Sequence, residues 1–368
     1  MHKKVAFSGG GTGGHIYPAL AIREILQERL SDGIDCLYLG QADGMEAGIV
    51  GRTPDLSFGA IRAQGMPRNI STRWLTFPYR NVMGFFDALG RLRVFAPDLV
   101  VTTGGFVAFP VLAAAKLLGI PYVIHEQNAA IGFTNRLFVG TAARVLLTYE
   151  EAWPEKSDRV VLTGNPVRKA FLAQNSTAAP GTDSPSRFAK KPGEFWILAV
   201  GGSRGAASLN RACVELSKDW LEAHPGTHLL HITGERDFAA IKAQIPENGR
   251  HTVLPYLHEM REAFDVADMI ISRAGATILA EIACRAKPAI LVPFPFATNN
   301  HQEKNARILE KMGAAQVIPD HDLNGSSLGM LLNQLRDENL RAKMAEAMRN
   351  SRPADVEERI FATVSPLL

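Results

Sequence analysis

The sequence predicts an α/β protein made of two Rossmann-like domains, each built around a parallel sheet. Short apolar runs typical of buried strands alternate with helical or turn-rich stretches along both halves of the chain. A glycine-rich loop directly follows the first such run in each half, at 9–14 and at 201–205. The chain has 368 residues, and since domains usually contain about 100–200 residues, two domains are expected.

The first half begins with a buried-type strand at 4–7, followed by the glycine loop and by a helix predicted over 16–30 with Pro18 in its first turn. The same alternation continues through four further short strands, at 36–39, 99–102, 122–125 and 145–148. Strands that are apolar throughout are typical of a parallel sheet covered on both faces.

The second half repeats this organisation after a polar segment. Residues 175–194 contain too few large apolar side chains to form a core, which indicates a surface loop or linker. A strand at 195–200 then leads into the second glycine loop and a helix, and further strands are predicted at 229–232, 252–253, 269–272 and 289–292. We therefore predict domains at 1–164 and 165–340, and a helical segment at 341–368 that packs back on the first domain.

The composition limits the function classes. A net charge of +3 and a pI near 8.7 are too weakly basic to indicate a nucleic-acid-binding protein. The cysteines Cys36, Cys213 and Cys284 have neither metal-ligand spacing nor the density of a disulfide framework, which indicates a reducing compartment. The N-terminus lacks the pattern of a signal peptide, and the longest uncharged run, 99–115, is interrupted by turn residues, so any membrane contact is expected to be peripheral.

The first glycine loop lies between a strand and a helix, where unpaired backbone N–H groups and the helix dipole favour an anion such as a sugar pyrophosphate. Gly9, Gly11 and Gly14 also satisfy the dinucleotide fingerprint G-x-G-x-x-G. An NAD site needs an acidic residue at the end of the second strand, where this chain has Gly40 and Gln41. The sequence therefore disfavours a dehydrogenase.

Three single residues suggest chemistry, and two of them, His15 and Glu281, also have a simpler interpretation. His15 lies at the junction of loop and helix, where an imidazole could take a proton from an attacking hydroxyl or merely cap the helix. Glu281 lies within a predicted helix and could accept both ribose hydroxyls, or it could be a solvent-exposed helix residue. Gln302 carries an amide suited to sugar hydroxyls.

Six motifs occurring in one order are more specific than any of these residues. They are GGGTGGH (9–15), HEQN (125–128), GNPVR (164–168), GGSRGA (201–206), SRAGATILAE (272–281) and HQEKNA (301–306). On these motifs the chain resembles the MurG family over about residues 5–315. The resemblance implies a GT-B fold, in which two Rossmann-like domains face a cleft, and transfer of N-acetylglucosamine (GlcNAc) from UDP to a lipid-linked muramyl-pentapeptide. It also implies that the first domain binds the acceptor and the second domain binds the donor.

The resemblance assigns roles by motif position. It implies that Thr12, Gly13 and Gly14 meet the donor sugar or its phosphates, with Asn128 nearby. It implies a UDP site in which Leu257 contacts uracil through its backbone and Glu281 binds ribose. The full implied set is Arg168, Ser203, Leu257, Ala276, Thr277, Ile278, Leu279, Ala280 and Glu281.

The resemblance also bears on the contact with GlcNAc, on the general base and on the pyrophosphate loop. The resemblance implies that Gln302 binds the hydroxyls of GlcNAc, and that His15 and Glu126 are the candidates for the general base. Arg204 stands where the family usually has glutamine, which could alter the contact with the pyrophosphate while leaving the glycines of the loop intact.

The implied reaction inverts the configuration at the anomeric carbon of the transferred sugar. It uses neither a metal nor another cofactor. One in-line attack by the acceptor hydroxyl suffices, and the charge on the leaving UDP can be stabilised by the helix after Gly205 and by loop amides. Asp320, His321 and Asp322 formally match the D-x-D pattern of metal-dependent transferases. They follow Pro319, where turn-forming aspartates are expected, so we predict no metal site there.

One stretch, 62–93, interleaves apolar and basic side chains, with Asp87 as its single acid. Apolar side chains can insert at a membrane interface while arginines meet anionic headgroups, although an ordinary amphipathic helix shows the same pattern. The lipid-linked acceptor favours contact with an anionic membrane surface through Arg73, Trp74, Phe77, Arg80, Phe85 and Phe86.

We therefore expect a peripheral protein at the cytoplasmic face of the cell membrane, with UDP-GlcNAc, the lipid-linked acceptor and wall-synthesis proteins as partners. Three alternatives stay open. They are a UDP-sugar 2-epimerase, which needs neither a second substrate nor a membrane face, a GT-B transferase acting on another lipid, and a non-catalytic nucleotide-sugar-binding module.

Overall fold

The computed structural model describes residues 2–67, 72–155, 157–172, 188–202, 205–245, 249–257 and 260–368. Contacts divide the chain into two compact units, the first formed by Met1–Lys169 and Pro353–Leu368 and the second by Ala170–Arg352. The sequence-based boundaries were 164/165 and 340/341. Residue 341 lies inside a helix, Glu338–Asn350, whose Met344 packs into the core of the second unit, so the chain leaves that unit only after this helix ends.

The first unit contains a parallel sheet in the order β3-β2-β1-β4-β5-β6-β7. Its strands are β1 (Lys3–Ser8), β2 (Ile34–Gly40), β3 (Ser57–Ala60), β4 (Leu99–Thr102), β5 (Tyr122–Glu126), β6 (Arg144–Leu147) and β7 (Val160–Leu162). Its helices are α1 (Gly13–Arg29), α2 (Met45–Val50), α3 (Arg73–Phe95), α4 (Ala108–Leu118), α5 (Phe133–Phe138) and a C-terminal helix, Val356–Val364.

Both faces of this sheet are covered, as its uninterrupted apolar strands predicted. Ala6 and Val100 point into a core formed with α3 and α4. Val5 and Phe7 point into a second core on the opposite face, formed with α1 and the C-terminal helix. This alternation along β1 follows from the two-residue period of a strand.

The second unit has a parallel sheet in the order β10-β9-β8-β11-β12-β13. The helices and strands that complete the chain are α6 (Lys169–Leu172), β8 (Phe195–Val200), α7 (Ala207–Lys218), β9 (Thr227–Ile232), α8 (Glu235–Lys242), β10 (His251–Leu254), α9 (Met260–Val266), β11 (Met269–Ser272), α10 (Ala276–Cys284), β12 (Ala289–Leu291), α11 (His301–Lys311), β13 (Ala315–Val317), α12 (Gly325–Gln334), α13 (Glu338–Asn350) and α14, the C-terminal helix (Val356–Val364).

The two sheets have equivalent strand orders, and both confirm the predicted α/β class. In each, the strand order reverses at the first strand of the unit, between β1 and β4 and between β8 and β11. Ligands of open α/β sheets bind outside the carboxyl ends of the strands at this reversal. The two glycine loops follow β1 and β8, and therefore lie at the expected position in each unit.

Candidate active site

The glycine loop of the first unit is in close contact with the residues that follow β4. A Cβ atom on Gly9 would overlap Thr103 Oγ1, and one on Gly105 would overlap the backbone oxygen of Gly10. Gly11 has φ of 86°, a left-handed conformation that favours glycine. The loop ends at Thr12, whose exposed side chain makes no capping hydrogen bond to α1. The positive end of this 17-residue helix therefore begins at Gly13 without a side-chain cap.

His15 is held in one tautomer by its surroundings. Its Nδ1 atom lies 2.8 Å from the backbone oxygen of Thr103 and 3.3 Å from Gln127 Oε1. A carbonyl oxygen can only accept, so Nδ1 carries the hydrogen and Nε2 carries the lone pair of the neutral ring. The half-buried imidazole is thus arranged to accept a proton at Nε2.

Gln127 joins His15 to a second, fully buried histidine. Its Nε2 atom lies 3.0 Å from both Nδ1 and the backbone oxygen of His125, and His125 Nε2 lies 3.1 Å from the backbone oxygen of Gly164. Burial lowers the pKa of His125 to about 4, so the His125 ring is uncharged at neutral pH. Sequence reasoning gave no role to Gln127, although it lies within the HEQN motif.

Glu126, the second candidate for the base, uses both carboxylate oxygens in hydrogen bonds within the protein. The carboxylate is 1% exposed. Oε1 accepts from the backbone and side-chain nitrogens of Asn128 at 3.1 and 3.2 Å, and Oε2 accepts from Gly132 N and Asn135 Nδ2 at 2.8 Å each. These four hydrogen bonds organise the turn after β5. The geometry therefore favours His15 over Glu126 as a proton acceptor.

Arg168 belongs to the first unit, whereas the sequence-based boundary placed it in the second domain. Its half-buried guanidinium lies over the ring of Tyr17, 4.6 Å from the centroid, on helix α1. The structure thus brings Arg168 to the same helix that carries His15.

The described glycines of the second unit's loop show the same features as those of the first loop. Gly202 and Gly205 have φ of 86° and 74°. A Cβ atom on Gly201 would come within 2.7 Å of Ala206 N, and one on Gly205 within 2.6 Å of the backbone oxygen of Thr233. The loop leads into helix α7. Ser203 and Arg204, the predicted UDP contact and the departure from the family pattern, lie outside the described residues.

Helix α10 begins directly after Gly275 and carries the segment predicted to hold UDP. Ala276, Leu279 and Ala280 are buried, which leaves Thr277 and Ile278 half-exposed in the first turn. Glu281 is 6% exposed, so the interpretation as a solvent-exposed helix residue is wrong. Leu257, after β10, is 4% exposed, so its side chain is buried and is not available to a ligand.

Gln302 has only half of its amide available for a ligand. Its Oε1 atom accepts from the backbone nitrogens of Ala274 and Phe294 at 3.2 and 2.9 Å, which ties together the loops that follow β11 and β12. Asn305, one turn further along α11, donates to the backbone oxygen of Ala274 at 3.1 Å. The Nε2 group of Gln302 is what this side chain can present to a sugar hydroxyl.

Helix α3 exposes the apolar and basic side chains predicted for membrane contact. Trp74 and Phe86 are 46% and 55% exposed, Arg73 and Arg80 are exposed, and Phe77 and Phe85 are half-buried. Sequence reasoning missed the three most exposed apolar residues of this helix, which are Leu75, Tyr79 and Val94. Among the described residues, no helix combines the length and the apolar character needed to cross a bilayer.

Comparison with known proteins covers almost the whole chain. The family models of the glycosyltransferase family 28 N-terminal and C-terminal domains match residues 5–147 and 196–360. A relative from Halothermothrix orenii, named UDP-N-acetylglucosamine–N-acetylmuramyl-(pentapeptide) pyrophosphoryl-undecaprenol N-acetylglucosamine transferase, is 40% identical over 92% of both chains. A relative of the same name from Desulforudis audaxviator is 43% identical over 88% of this chain and 87% of its own.

A solved structure agrees with these relatives. The crystal structure of Acinetobacter baumannii MurG covers 99% of both chains with a TM-score of 0.75 and 27% sequence identity. This likeness confirms the GT-B fold class predicted from the motifs. The chain belongs to the MurG family of glycosyltransferases, within glycosyltransferase family 28.

Proposed function

We propose that this chain transfers GlcNAc from UDP-GlcNAc to the C4 hydroxyl of undecaprenyl-pyrophosphoryl-MurNAc-pentapeptide, the step that completes the disaccharide unit of peptidoglycan. The observation that carries the proposal is the family membership at 40% identity over 92% of the chain. It is supported by the two glycine loops, each at the strand-order reversal of its sheet.

His15 is the general base of the proposed reaction. Its Nδ1–H is engaged with Thr103, so Nε2 takes the proton of the acceptor hydroxyl as that oxygen attacks the anomeric carbon. The bond to the UDP oxygen breaks as the new glycosidic bond forms, and the configuration inverts. Thr12, Gly13 and Gly14 lie at the positive end of α1 beside His15 and suit the phosphates or sugar of a substrate, with Asn128 on the turn organised by Glu126.

The second unit binds the donor in this proposal. The N-termini of α7 and α10 stabilise the negative charge that develops on the leaving diphosphate, so the reaction needs no metal. Glu281 binds ribose, the backbone of Leu257 binds uracil, and Gln302 donates its Nε2–H groups to GlcNAc. Ser203 completes this set on the basis of the family motifs, which also assign Arg168 of the first unit to UDP.

Helix α3 places the protein on the cytoplasmic face of the membrane in this proposal. The exposed side chains of Trp74, Leu75 and Phe86 enter the interface, while Arg73 and Arg80 meet anionic headgroups. The lipid anchor of the acceptor then lies in the same surface as the enzyme.

The proposal is tested by incubating the protein with radiolabelled UDP-GlcNAc and a short-chain lipid-linked muramyl-pentapeptide, with and without chelator. Labelled disaccharide-lipid that forms equally well with chelator supports both the reaction and the metal-free mechanism. Conversion of UDP-GlcNAc without an acceptor would indicate an epimerase instead. UDP-GlcNAc binding without turnover on any acceptor would indicate a binding module.

A further inference from the structure

Asp320, singled out in the sequence as part of an apparent D-x-D motif, is joined to the arginine of the SRAGAT segment. Arg273 Nη1 donates to Asp320 Oδ1 at 2.6 Å, and Arg273 Nη2 donates to Ser208 Oγ at 2.8 Å. Ser208 Oγ in turn donates to Asp320 Oδ1 at 2.6 Å. The three side chains form a closed triangle in which Arg273 is 9% exposed.

This triangle joins loops at the carboxyl ends of four strands. Arg273 directly follows β11, Ser208 is the second residue of α7 after the glycine loop of β8, and Asp320 begins a 3₁₀ turn after β13. Arg273 Nη1 also donates to the backbone oxygen of Val292, after β12, at 3.1 Å. Both terminal nitrogens of the guanidinium are thereby engaged inside the protein, which reduces its donor capacity for a phosphate.

The contacts of this triangle fix two helix N-termini. Ser208 lies in the first turn of α7, and Arg273 stands two residues before Gly275, the N-cap of α10. Helix N-termini stabilise an anion only when their N–H groups point at it, so their mutual placement matters as much as their dipoles.

We propose that Asp320 and Arg273 are positioning residues for the nucleotide-sugar donor. They keep the N-termini of α7 and α10 at fixed positions relative to each other and do not contact the donor themselves. The inference rests on the donor site proposed above. It assigns Asp320 to an ion pair rather than to a metal.

The protonation state of Asp320 agrees with this role. Burial tends to raise the pKa of its carboxyl, but the hydrogen bond from Ser208 and the charge and hydrogen bond of Arg273 outweigh burial, and its pKa lies below the ordinary value. Asp322, two residues later, has a side chain that is 61% exposed and lies 3.4 Å from His321. The two aspartates of the triplet are therefore in different environments, and Asp322 is a matched control for Asp320.

The test measures UDP affinity of the full chain by titration calorimetry for wild type, Asp320→Asn, Asp322→Asn, Ser208→Ala and the Ser208→Ala/Asp320→Asn double variant, with and without chelator. We expect Asp320→Asn to weaken UDP binding about tenfold, since small displacements of binding groups have effects of this size or larger. Asp322→Asn should stay within about twofold of wild type. The double variant should be weakened by less than the product of the single effects, because both changes open the same triangle.

Other results would overturn the inference. Equal losses in Asp320→Asn and Asp322→Asn, together with weakening by chelator, would restore the metal interpretation. Unchanged binding in Asp320→Asn would remove the positioning role. An Arg273→Lys variant is measured alongside, and weaker UDP binding in it without weaker binding in Asp320→Asn would mean that Arg273 contacts the diphosphate itself.

The donor site is tested separately. Glu281→Gln measured alongside must weaken UDP binding if the donor site is as proposed. If Asp320→Asn weakens UDP binding and Glu281→Gln does not, the ribose contact lies elsewhere and the positioning role stands. Melting temperatures of all variants, together with parallel changes in KM for UDP-GlcNAc, separate positioning from loss of folded protein.

Discussion

The Nδ1 atom of His15 lies 2.8 Å from the backbone oxygen of Thr103, and this contact decides which ring nitrogen can act as a base. The carbonyl follows β4, on the far side of the strand-order reversal from the loop that carries His15. The sheet topology itself therefore orients the imidazole.

Replacing His15 by asparagine tests this arrangement. The side-chain nitrogen of asparagine can still donate to Thr103, but no atom replaces Nε2 as a proton acceptor. We expect kcat to fall by about 10²-fold or more, with KM for UDP-GlcNAc little changed. Initial rates with both substrates measure the effect. A purely structural histidine would instead tolerate asparagine, and the exposed His321→Asn variant serves as control.

Glu126→Gln distinguishes an organising carboxylate from a catalytic one. The new NH₂ group would face donors where Oε2 now accepts from Gly132 N and Asn135 Nδ2. We expect the free energy of unfolding to fall by about 1–3 kcal/mol, the usual effect of leaving buried polar groups unpaired. Urea denaturation followed by circular dichroism measures the change. Unchanged stability with abolished kcat would identify Glu126 as a participant in the chemistry.

The sequence predicted the sheets well at their centres and poorly at their edges. β8 is apolar throughout and β1 has an apolar centre at 5–7, whereas β3, β7 and β13 were missed because they are short, partly exposed edge strands. Helix α1 begins at Gly13 rather than at residue 16, because contacts of the glycine loop outweigh the low helix propensity of glycine. Pro18 consequently lies in the second turn.

The site residues were predicted by type but not always by role. Glu126 and Gln302 stand in motifs that identify a sugar-nucleotide enzyme, yet their oxygens accept hydrogen bonds from backbone and side-chain groups of neighbouring turns. Those partners depend on how each turn closes, which neither periodicity nor spacing encodes. The pair of Arg273 and Asp320 spans 47 positions and forms only because β11, β12 and β13 are adjacent.

The close approach of the first glycine loop to the segment after β4 predicts a specific effect of Gly105→Ala. The new Cβ would overlap the backbone oxygen of Gly10, and φ at this position is 81°. Gly119→Ala is a matched control, since its φ is 69° but no atom lies within 4 Å of the new Cβ. Both variants should lose about 1 kcal/mol of stability from the left-handed conformation, and Gly105→Ala should lose more because the backbone must shift to relieve the overlap. Only Gly105→Ala should also lower kcat, which thermal melts and rate measurements together decide.

We predict that the protein loses stability in mild acid, because three of its histidines are buried. Burial lowers the pKa of His125 and His251 to about 4 and that of His231 to about 3, the last also through the neighbouring His251. Each ring is neutral in the folded state, so its contribution is fully present above about pH 6.5, the pKa in the unfolded chain, and is lost as the pH falls towards the folded-state values. The free energy of unfolding should therefore decrease by a few kcal/mol between about pH 7 and pH 5.

Denaturation with urea at a series of pH values measures this decrease. The lowered pKa values of Asp87 and Asp320 act at more acidic pH, so the window above pH 5 reports mainly on histidines. His231→Asn should flatten the pH dependence, whereas the exposed His321→Asn should leave it unchanged. A wild-type stability that is flat from pH 7 to pH 5 would contradict the assignment of these rings as neutral.

We predict that apolar and basic side chains on the exposed face of α3 contribute separately to membrane binding. Leu75→Gln should weaken binding to both anionic and zwitterionic vesicles, because Leu75 is 80% exposed and its side chain would be buried on insertion. Arg80→Gln should weaken binding about fivefold to anionic vesicles at low salt and have little effect on zwitterionic ones, since one arginine near an anionic surface contributes about 1 kcal/mol. Leu117→Gln on α4 and Arg349→Gln on α13 are matched controls, as both side chains are exposed on other helices. Vesicle co-sedimentation measures all four, and equal effects of Leu75→Gln and Leu117→Gln would mean that α3 is not the membrane face.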